Sequence, residues 1–411
     1  MKLRRIAVLM HRYVGLALAI FLIMSGLTGS IIAFNHELDA WLNPSLFERA
    51  NDAPAMAPLD LIAAIERQEP SVFVSFIAIE NEPDHNAVAF VTPRADPETG
   101  ETDDPGFNQI FADPGTARIV GKREWGAFAI DAPHLLPFLY KLHYTLHIPG
   151  VWGILLMGIV GIVWMFDSLV GFYLTLPRTG PFWRKWSIAW KVKRNANSHR
   201  RNLDLHRAGG LWFWVLLFML AMSGVALNLP DQVARPVVSL FSDLRPSLGK
   251  LAEERLKVEY DEPASIGFRE ALALAGPAAE KFDIEEEPSM LWYPKAYSAI
   301  VIGFGEEHGS GLGPSWIVFD DHTGEVIHTL IPGTGSAGDT FMEAQFPLHS
   351  GQIAGLPGRI LISVTGLVVA MLSITGILIW AKKRKGTYAR ERARQRDDGS
   401  PALRPKVKPA E

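Results

Sequence analysis

The chain alternates between long apolar stretches and polar segments. A helix needs roughly 20 apolar residues to cross about 30 Å of hydrocarbon, where only a helix satisfies the backbone of a single segment. Four stretches meet this condition, near residues 9–34, 150–174, 208–229 and 358–380. The apolar run from Ile6 to Phe34 is too long for the core of a secretory signal, and no small-residue cleavage site follows it. We therefore expect an uncleaved first helix.

The two large polar segments have the same internal order. Each holds an amphipathic helical pattern, at residues 59–65 and 268–274, and then a strand, a tight turn and a second strand. The turns contain Asp113-Pro114-Gly115 and His322-Thr323-Gly324, which are typical of hairpins. Each polar segment is therefore expected to form a small α+β lobe.

The predicted fold is a membrane protein with four transmembrane α-helices in two repeated pairs and two periplasmic α+β lobes. Its predicted parts are the N-terminus with the first helix (1–34), the first lobe (35–147), the second helix (148–176), a basic cytoplasmic loop (177–207), the third helix (208–229), the second lobe (230–356), the fourth helix (357–380) and a basic, disordered cytoplasmic tail (381–411).

Positive charge indicates which side of the membrane each segment occupies. The loop 177–207 is rich in Lys and Arg and has Asp204 as its one acidic residue, and the tail opens with Lys382-Lys383-Arg384-Lys385. Because cytoplasmic loops carry an excess of Lys and Arg, both chain ends are expected in the cytoplasm. The two lobes are then expected in the periplasm of a bacterial inner membrane.

Four histidines lie beside the four apolar stretches. His11 and His206 open the first and third, on the predicted cytoplasmic side, whereas His143 and His349 precede the second and fourth, on the outer side. A single interfacial histidine is usually a headgroup contact, but ionisable residues at a membrane suggest function, and two pairs favour metal. Each pair could hold one haem iron, and the helix rise of about 1.5 Å per residue predicts irons about 20 Å apart.

The absence of cysteine limits the cofactor. It excludes disulfides, cysteine-ligated iron–sulfur clusters and covalent c-type haem attachment. The prediction is therefore two haems b, each with two axial histidines, an arrangement that transfers electrons and does not bind oxygen.

The two halves of the chain look like copies of one unit. In both, a glycine follows the inner histidine by four residues, at Gly15 and Gly210, where it would open room beside the ring or allow close helix packing. Met24-Ser25-Gly26 in the first copy matches Met222-Ser223-Gly224 in the second. Gly161 and Gly171 have the same spacing as Gly366 and Gly376.

Four further residues are candidates for supporting roles. His147, one helical turn after His143, is an alternative outer ligand, a ring-orienting donor or part of a separate metal site. Asp167, costly inside the second span, could orient the ring of His11 or His206 or form a plain inter-helix hydrogen bond. Arg12 and Arg207 could pair with haem propionates or serve only as positive-inside charge.

The remaining histidines that lie in loop or strand settings are expected at the surface. They are His36, His85, His134, His308, His322 and His328.

These motifs resemble those of the PepSY-associated transmembrane proteins, a bacterial inner-membrane family that includes iron-regulated proteins and ferric-siderophore reductases. The resemblance extends to about residue 385 and rests on four motifs, His11-Arg12 with Gly15-Leu16, Leu142-His143 with Gly150, Asp204-Leu205-His206-Arg207, and Leu348-His349-Ser350-Gly351. It implies four helices that carry b-type haem, two outer PepSY-like lobes and, in siderophore-linked members, reduction of Fe(III) to Fe(II) in the periplasm.

The leading functional hypothesis is a haem-dependent ferric reductase that acts on an Fe(III)-siderophore or another Fe(III) chelate. The sequence identifies no catalytic residue, and no nucleotide-binding motif is present. The electron donor would therefore be a separate cytoplasmic reductase or a membrane quinol; membrane lipid is the other expected partner, and nucleic acid is not.

Two other classes of function are considered. The first is a PepSY-lobe sensor or protease-regulating interaction protein without redox activity. The second is a transporter, which the internal repeat favours. Three features count against a transporter: the repeats are parallel, only four spans are expected, and no broken helix is expected at mid-membrane.

Overall fold

The computed structural model of the protein describes residues 2–79, 84–96, 99–258, 264–306 and 309–397. The helices are α1 (Lys2–Ile32), α2 (Asn35–Leu42), α3 (Pro44–Phe47), α4 (Pro58–Gln68), α5 (Ala132–Thr145), α6 (Trp152–Thr175), α7 (Phe182–Trp186), α8 (Ser198–Trp212), α9 (Trp214–Asn228), α10 (Arg235–Val238), α11 (Leu248–Arg255), α12 (Phe268–Lys281), α13 (Ala337–Glu343), α14 (Gln345–Ser350) and α15 (Gly355–Asp397). The strands are β1 (Val72–Ala78), β2 (Ala87–Pro93), β3 (Gln109–Ala112), β4 (Ile119–Arg123), β5 (Pro288–Trp292), β6 (Ala299–Phe304), β7 (Ser315–Asp320) and β8 (Val326–Leu330).

Three helical segments in the described part of the chain are long and apolar enough to cross a membrane. They are α1, α6 and Gln352–Ala389, which includes most of α15. Helices α8 and α9 pass the same test together, as a fourth span, but they are bent by 69° at Phe213. The third span is therefore bent, close to the start of its predicted range 208–229. Gly209 and Gly210 lie in the last turn before the bend, where a glycine pair weakens the helix.

The chain forms two compact units. The first unit comprises Met1–Leu27, Val160–Ala221 and Thr365–Glu411, and the second unit comprises Thr28–Ile159 and Met222–Val364.

The strands of both predicted lobes belong to one sheet in the second unit. Its order is β4-β3-β2-β1-β5-β6-β7-β8, with antiparallel neighbours throughout. Strand β1 pairs with β5 through Phe76↔Trp292, Ile77↔Leu291 and Ala78↔Met290. The two predicted lobes are thus joined through one sheet, because each alone would leave its first strand as an edge, and pairing the two edges satisfies the backbone groups of both.

One hydrophobic core extends along the joined sheet. Ile65 of α4 and Ala275 of α12 are fully buried against inward-facing strand residues such as Ile77 and Leu291. Because side chains alternate along a strand, the same strands present a second row of residues on the opposite face. The two repeats therefore share a core as well as a sheet.

The hairpin turns of the two repeats are built in the same way. Asp113 accepts hydrogen bonds from the backbone N–H groups of Gly115 and Thr116, and Asp320 accepts them from His322 and Thr323. In such Asx-turns the Asp side chain stabilises the reversal of the chain between the two strands of the hairpin.

The C-terminal tail is more ordered than expected. Helix α15 continues to Asp397, so the prediction of disorder is wrong for residues 381–397, while residues 398–411 lie outside the described chain. This stretch is rich in Arg, Lys and Ala, which are good helix formers. The Arg384 guanidinium also lies over the rings of Trp380 and Tyr388, one turn before and one turn after it.

A buried ion pair joins the sheet to two helices of the second unit. Arg123 donates to both carboxylate oxygens of Asp39 on α2, at 3.1 and 2.7 Å, and to the carbonyl oxygen of Pro133 on α5. Asn43 donates to Asp39 and to the carbonyl of Ala132. The network ties the first turn of α5, the helix that carries His143, to the end of β4.

Breaking this pair should destabilise the protein strongly. Arg123→Met leaves the Asp39 carboxylate buried without its counter-charge, and we expect a loss of about 3–5 kcal/mol in the free energy of unfolding. Arg94→Met removes the partly exposed pair with Glu66 and should cost about 1 kcal/mol or less. Chemical unfolding in detergent, followed by tryptophan fluorescence, measures both variants; equal losses would contradict the role given to the buried pair.

Candidate functional site: two pairs of histidines

The first unit brings His11 of α1 and His206 of α8 together. Their ring centres lie 6.0 Å apart, and the ring planes are inclined by 59°. These two histidines were predicted to share the cytoplasmic side of the membrane. The structure places them in one site although they are far apart in sequence.

Both rings of the first pair are held through Nδ1. The Nδ1 atom of His11 lies 3.0 Å from each carboxylate oxygen of Asp167 on α6, so of the two histidines considered for Asp167 the structure pairs it with His11. The Nδ1 atom of His206 lies 2.9 Å from the carbonyl oxygen of Leu372 and 3.2 Å from Oγ1 of Thr375. Since carboxylates and carbonyls only accept hydrogen bonds, Nδ1 carries the proton in both rings, and Nε2 keeps a free lone pair.

The second unit brings His143 of α5 and His349 of α14 together in the same manner. Their ring centres lie 6.1 Å apart, with the planes inclined by 67°. Nδ1 of His143 lies 3.0 Å from Oγ1 of Thr28, and Nδ1 of His349 lies 2.8 Å from Oγ of Ser223. A hydroxyl can either accept a proton from Nδ1 or donate one to it, and metal ligation through Nε2 requires the tautomer in which Nδ1 donates.

The imidazole of His349 is in the neutral form that binds metal. Desolvation of the ring, together with the nearby His143, lowers the pKa of His349 to about 3. A neutral ring is what metal ligation requires.

A glycine of a facing helix lies against each of the four rings. A Cβ at Gly171 would lie 3.2 Å from Cε1 of His11, and a Cβ at Gly376 would lie 3.4 Å from Cε1 of His206. For the second pair, a Cβ at Gly29 would lie 2.9 Å from Cε1 of His143, and a Cβ at Gly224 would lie 3.7 Å from Cε1 of His349. Each ring is therefore confined on one edge by backbone.

The spacing within each pair fits two axial ligands of one metal ion. With metal–nitrogen bonds of about 2.0 Å and about 1.2 Å from each nitrogen to its ring centre, two opposed imidazoles would have centres about 6.4 Å apart. The observed separations of 6.0 and 6.1 Å are close to this value. Nitrogen-only donor sets of this kind suit haem iron.

His147 does not join the outer pair. Helix α5 ends at Thr145, and Leu146 and His147 both have positive φ angles, so His147 does not continue the helical face of His143. Its ring stacks on Phe138, with centres 4.5 Å apart, and its Nε2 bonds to the Phe138 carbonyl. The structure therefore brings His143, and not the alternative His147, to the ring of His349.

The two arginines that follow the inner histidines differ in their partners. Arg207 donates to the carbonyl of Ile188 and to Asp204, which is fully buried and also paired with Arg200. Arg12 is half-buried and makes no hydrogen bond or ion pair within the described ranges. Arg12 and Arg207 were both candidates for contact with propionates. Of the two, Arg12 is thus the one whose guanidinium has no hydrogen-bond or ion-pair partner among the described residues.

Several residues of the sites were not identified from the sequence. Thr28 and Ser223, with the glycines that follow them, lie at the same distance along the chain from the inner histidine of their own repeat. The match of Met24-Ser25-Gly26 with Met222-Ser223-Gly224 is therefore out of register by three residues. Similarly, Gly15 faces Asp167 and Gly210 faces Leu372, so the glycines one turn after the inner histidines do not line the rings.

Three acidic and imidazole side chains at the second hairpin also lie close together. Ligand atoms of Asp320, Asp321 and His322 are within 4.8 Å of one another. However, Asp320 pairs with Arg255 at 2.7 Å, and Asp321 accepts from the Tyr293 hydroxyl and contacts His322. We therefore assign these side chains a structural role: they stabilise the hairpin turn, and Asp320 binds Arg255 of α11.

The other histidines are less exposed than expected. The rings of His36 and His85 are half-buried and lie 5.8 Å apart, and His328 is half-buried on β8. His134 and His322 are half-buried as well, so all five of these histidines are partly, not fully, exposed. His134 and His322 contact Asp131 and Asp321, and His308 lies outside the described residues.

Comparison with known proteins places the chain in a family. No curated protein matches it at a significant level. The family described as PepSY-associated TM region matches residues 8–383, a stretch that contains all four paired histidines. The protein is therefore a membrane protein that belongs to the PepSY-associated transmembrane family.

Proposed function

We propose that the protein is a di-haem b electron-transfer protein of the bacterial inner membrane that reduces Fe(III) complexes in the periplasm. The observation that carries the proposal is the double pairing of histidines. The ring centres of each pair lie about 6 Å apart, and Nδ1 of every ring is hydrogen-bonded to a group on another helix. The lack of cysteine favours non-covalent b-type haem.

The chain's residues would serve as ligands and orienting groups. His11 with His206, and His143 with His349, would each hold one iron. Haem with two axial imidazoles transfers single electrons and leaves no open position for oxygen. Asp167, Leu372, Thr28 and Ser223 would fix the tautomer and plane of each ring, which is the usual task of groups that hydrogen-bond to metal-binding histidines.

The proposed substrate rests on the resemblance to the family and on the chemistry of iron. Oxygen-rich chelators hold Fe(II) far less tightly than Fe(III), so reduction releases the metal from an Fe(III)-siderophore or a similar chelate. Basic segments at 177–207 and 381–397 support a cytoplasmic location for the loop and the tail, and hence a periplasmic sheet. A cytoplasmic reductase or a membrane quinol would supply the electrons.

The alternative is a PepSY sensor or protease-regulating protein without redox activity. The joined sheet gives it some support, because edge strands β4 and β8 could pair with an extended peptide. Haem content separates this alternative, and the transporter, from the reductase.

Haem content and its loss in histidine variants test the cofactor assignment. We expect low-spin b-type absorbance and two haems per chain in a pyridine haemochrome assay. His11→Ala or His206→Ala should each remove one haem, and His143→Ala or His349→Ala the other, because each deletes an axial ligand. His147→Ala is the matched control and should retain both. A folded, haem-supplied protein without haem would refute the reductase proposal.

The glycines against the rings provide a steric test. Gly29→Val should displace the His143 ring and reduce the outer haem to less than half occupancy, because even a Cβ would lie 2.9 Å from Cε1. Gly210→Val is the control, since the nearest atom to its Cβ is 4.0 Å away, on Leu372. The number of haems per chain is measured in both variants by the pyridine haemochrome assay. Full occupancy in Gly29→Val would argue against the proposed ring position.

Electron transfer to ferric complexes tests the reaction. Dithionite-reduced protein should be reoxidised by ferric citrate, with one Fe(II) trapped per electron lost. Gallium(III) citrate has the same charge type but cannot be reduced under these conditions, so it should leave the absorbance unchanged. His349→Ala should slow the reoxidation at least tenfold. If no Fe(III) chelate reoxidises the wild-type protein, the substrate proposal fails even when both haems are present.

A further inference from the structure

The two pairs of histidines differ in the charge of the groups that hold their rings. In the first pair, His11 bonds to the Asp167 carboxylate, whose two oxygens both lie 3.0 Å from Nδ1. In the second pair, the Nδ1 atoms of His143 and His349 are directed to the hydroxyls of Thr28 and Ser223. One pair therefore has a negatively charged partner, and the hydroxyl partners of the other pair carry no net charge.

The internal repeat shows that this charge is specific to one half of the chain. Asp167 lies four residues before Gly171, the glycine that faces His11. Leu372 lies four residues before Gly376, the glycine that faces His206, and it holds that ring with its backbone carbonyl. The repeat thus replaces a carboxylate with a carbonyl at equivalent positions.

A buried carboxylate on a ligand ring stabilises the oxidised metal. Asp167 is only 7% exposed, so water screens its charge weakly. Accepting the Nδ1 proton makes the His11 ring a stronger electron donor, and such outer hydrogen bonds are an established way to tune a metal. Both effects favour Fe(III) over Fe(II) and lower the reduction potential.

The positive charges of the nearby arginines would raise the reduction potential, opposite to the effect of Asp167, but these side chains do not bond to the rings. Arg207 pairs with Asp204 at 2.9 Å, and it shares this carboxylate with Arg200, so the charge of Arg207 is offset in part. Arg12 follows His11 in sequence, and within the described part of the chain it makes no hydrogen bond or ion pair with the ring. The carboxylate of Asp167 is the charged group in hydrogen-bond contact with a ring of the first pair.

We propose that Asp167 sets the reduction potential of the haem held by His11 and His206 below that of the haem held by His143 and His349. This inference rests on the proposed function. His11 and His206 would hold the haem that accepts an electron from a cytoplasmic reductase or quinol, and His143 and His349 would hold the haem that supplies an electron to the substrate. The electron that the donor loses is the one that the substrate Fe(III) gains when it becomes Fe(II). Transfer from the cytoplasmic to the outer side is then downhill.

Potentiometric titration of single-haem variants tests the assignment. His349→Ala retains the first haem, and His206→Ala retains the second, so each midpoint can be measured alone by absorbance. We expect the first midpoint to lie below the second. In the His349→Ala background, Asp167→Asn should raise the midpoint by at least the equivalent of a tenfold change in the equilibrium constant, about 59 mV for one electron. Asp167→Glu should keep it low.

Controls separate the charge of Asp167 from its effect on ring position. Low-spin absorbance and full haem occupancy in Asp167→Asn would show that ligation survives the substitution. Thr28→Val in the His206→Ala background removes a hydroxyl without removing a charge, and its shift should be smaller.

An unchanged or lowered midpoint in Asp167→Asn with haem still bound would overturn the inference and leave the proposed function intact. A first midpoint above the second in the single-haem proteins would also overturn it. Absence of haem from the wild-type protein would refute the proposed function itself, and the inference with it.

Discussion

The hydrogen bond at Nδ1 of each histidine is the constraint on which both sites depend. A neutral imidazole has one N–H, and donating it from Nδ1 leaves the lone pair on Nε2. All four acceptors lie on a different helix from the ring that they hold, so packing of the helices fixes ring orientation and tautomer together. The glycines add to this, because the helix backbone can approach Cε1 only where no Cβ intervenes.

Both repeats contribute to the two sites in the same way. Each ring is held from within its own repeat, as Asp167 holds His11 and Ser223 holds His349. Each pair, however, joins a histidine of one repeat with a histidine of the other. The pairing of β1 with β5 is also a contact between repeats. One repeat alone would therefore have oriented rings but no complete site, and association of the two repeats completes both pairs.

The sequence predicts features that depend on local pattern and fails where distant segments decide the outcome. The apolar spans, the hairpins and the positions of the four histidines follow from composition and spacing. The joined sheet does not, because β1 and β5 are far apart along the chain. The match of Met24-Ser25-Gly26 with Met222-Ser223-Gly224 is wrong because the identical residues lie at different distances from the inner histidines His11 and His206. His147 was misplaced because the left-handed residue Leu146 ends the helix, and no glycine or proline signals that end.

The comparison between Asp167 and Leu372 bears on why a charge is present at all. Orientation of an inner ring does not require a carboxylate, since the carbonyl of Leu372, assisted by Thr375, holds His206 at a similar distance. A carboxylate within a membrane span is costly, and a backbone carbonyl adds no such cost. If Asp167 served only to orient His11, the cheaper solution of the second repeat would suffice. The cost of this charge therefore supports the proposed effect of Asp167 on the His11 ring, the group to which its carboxylate is hydrogen-bonded.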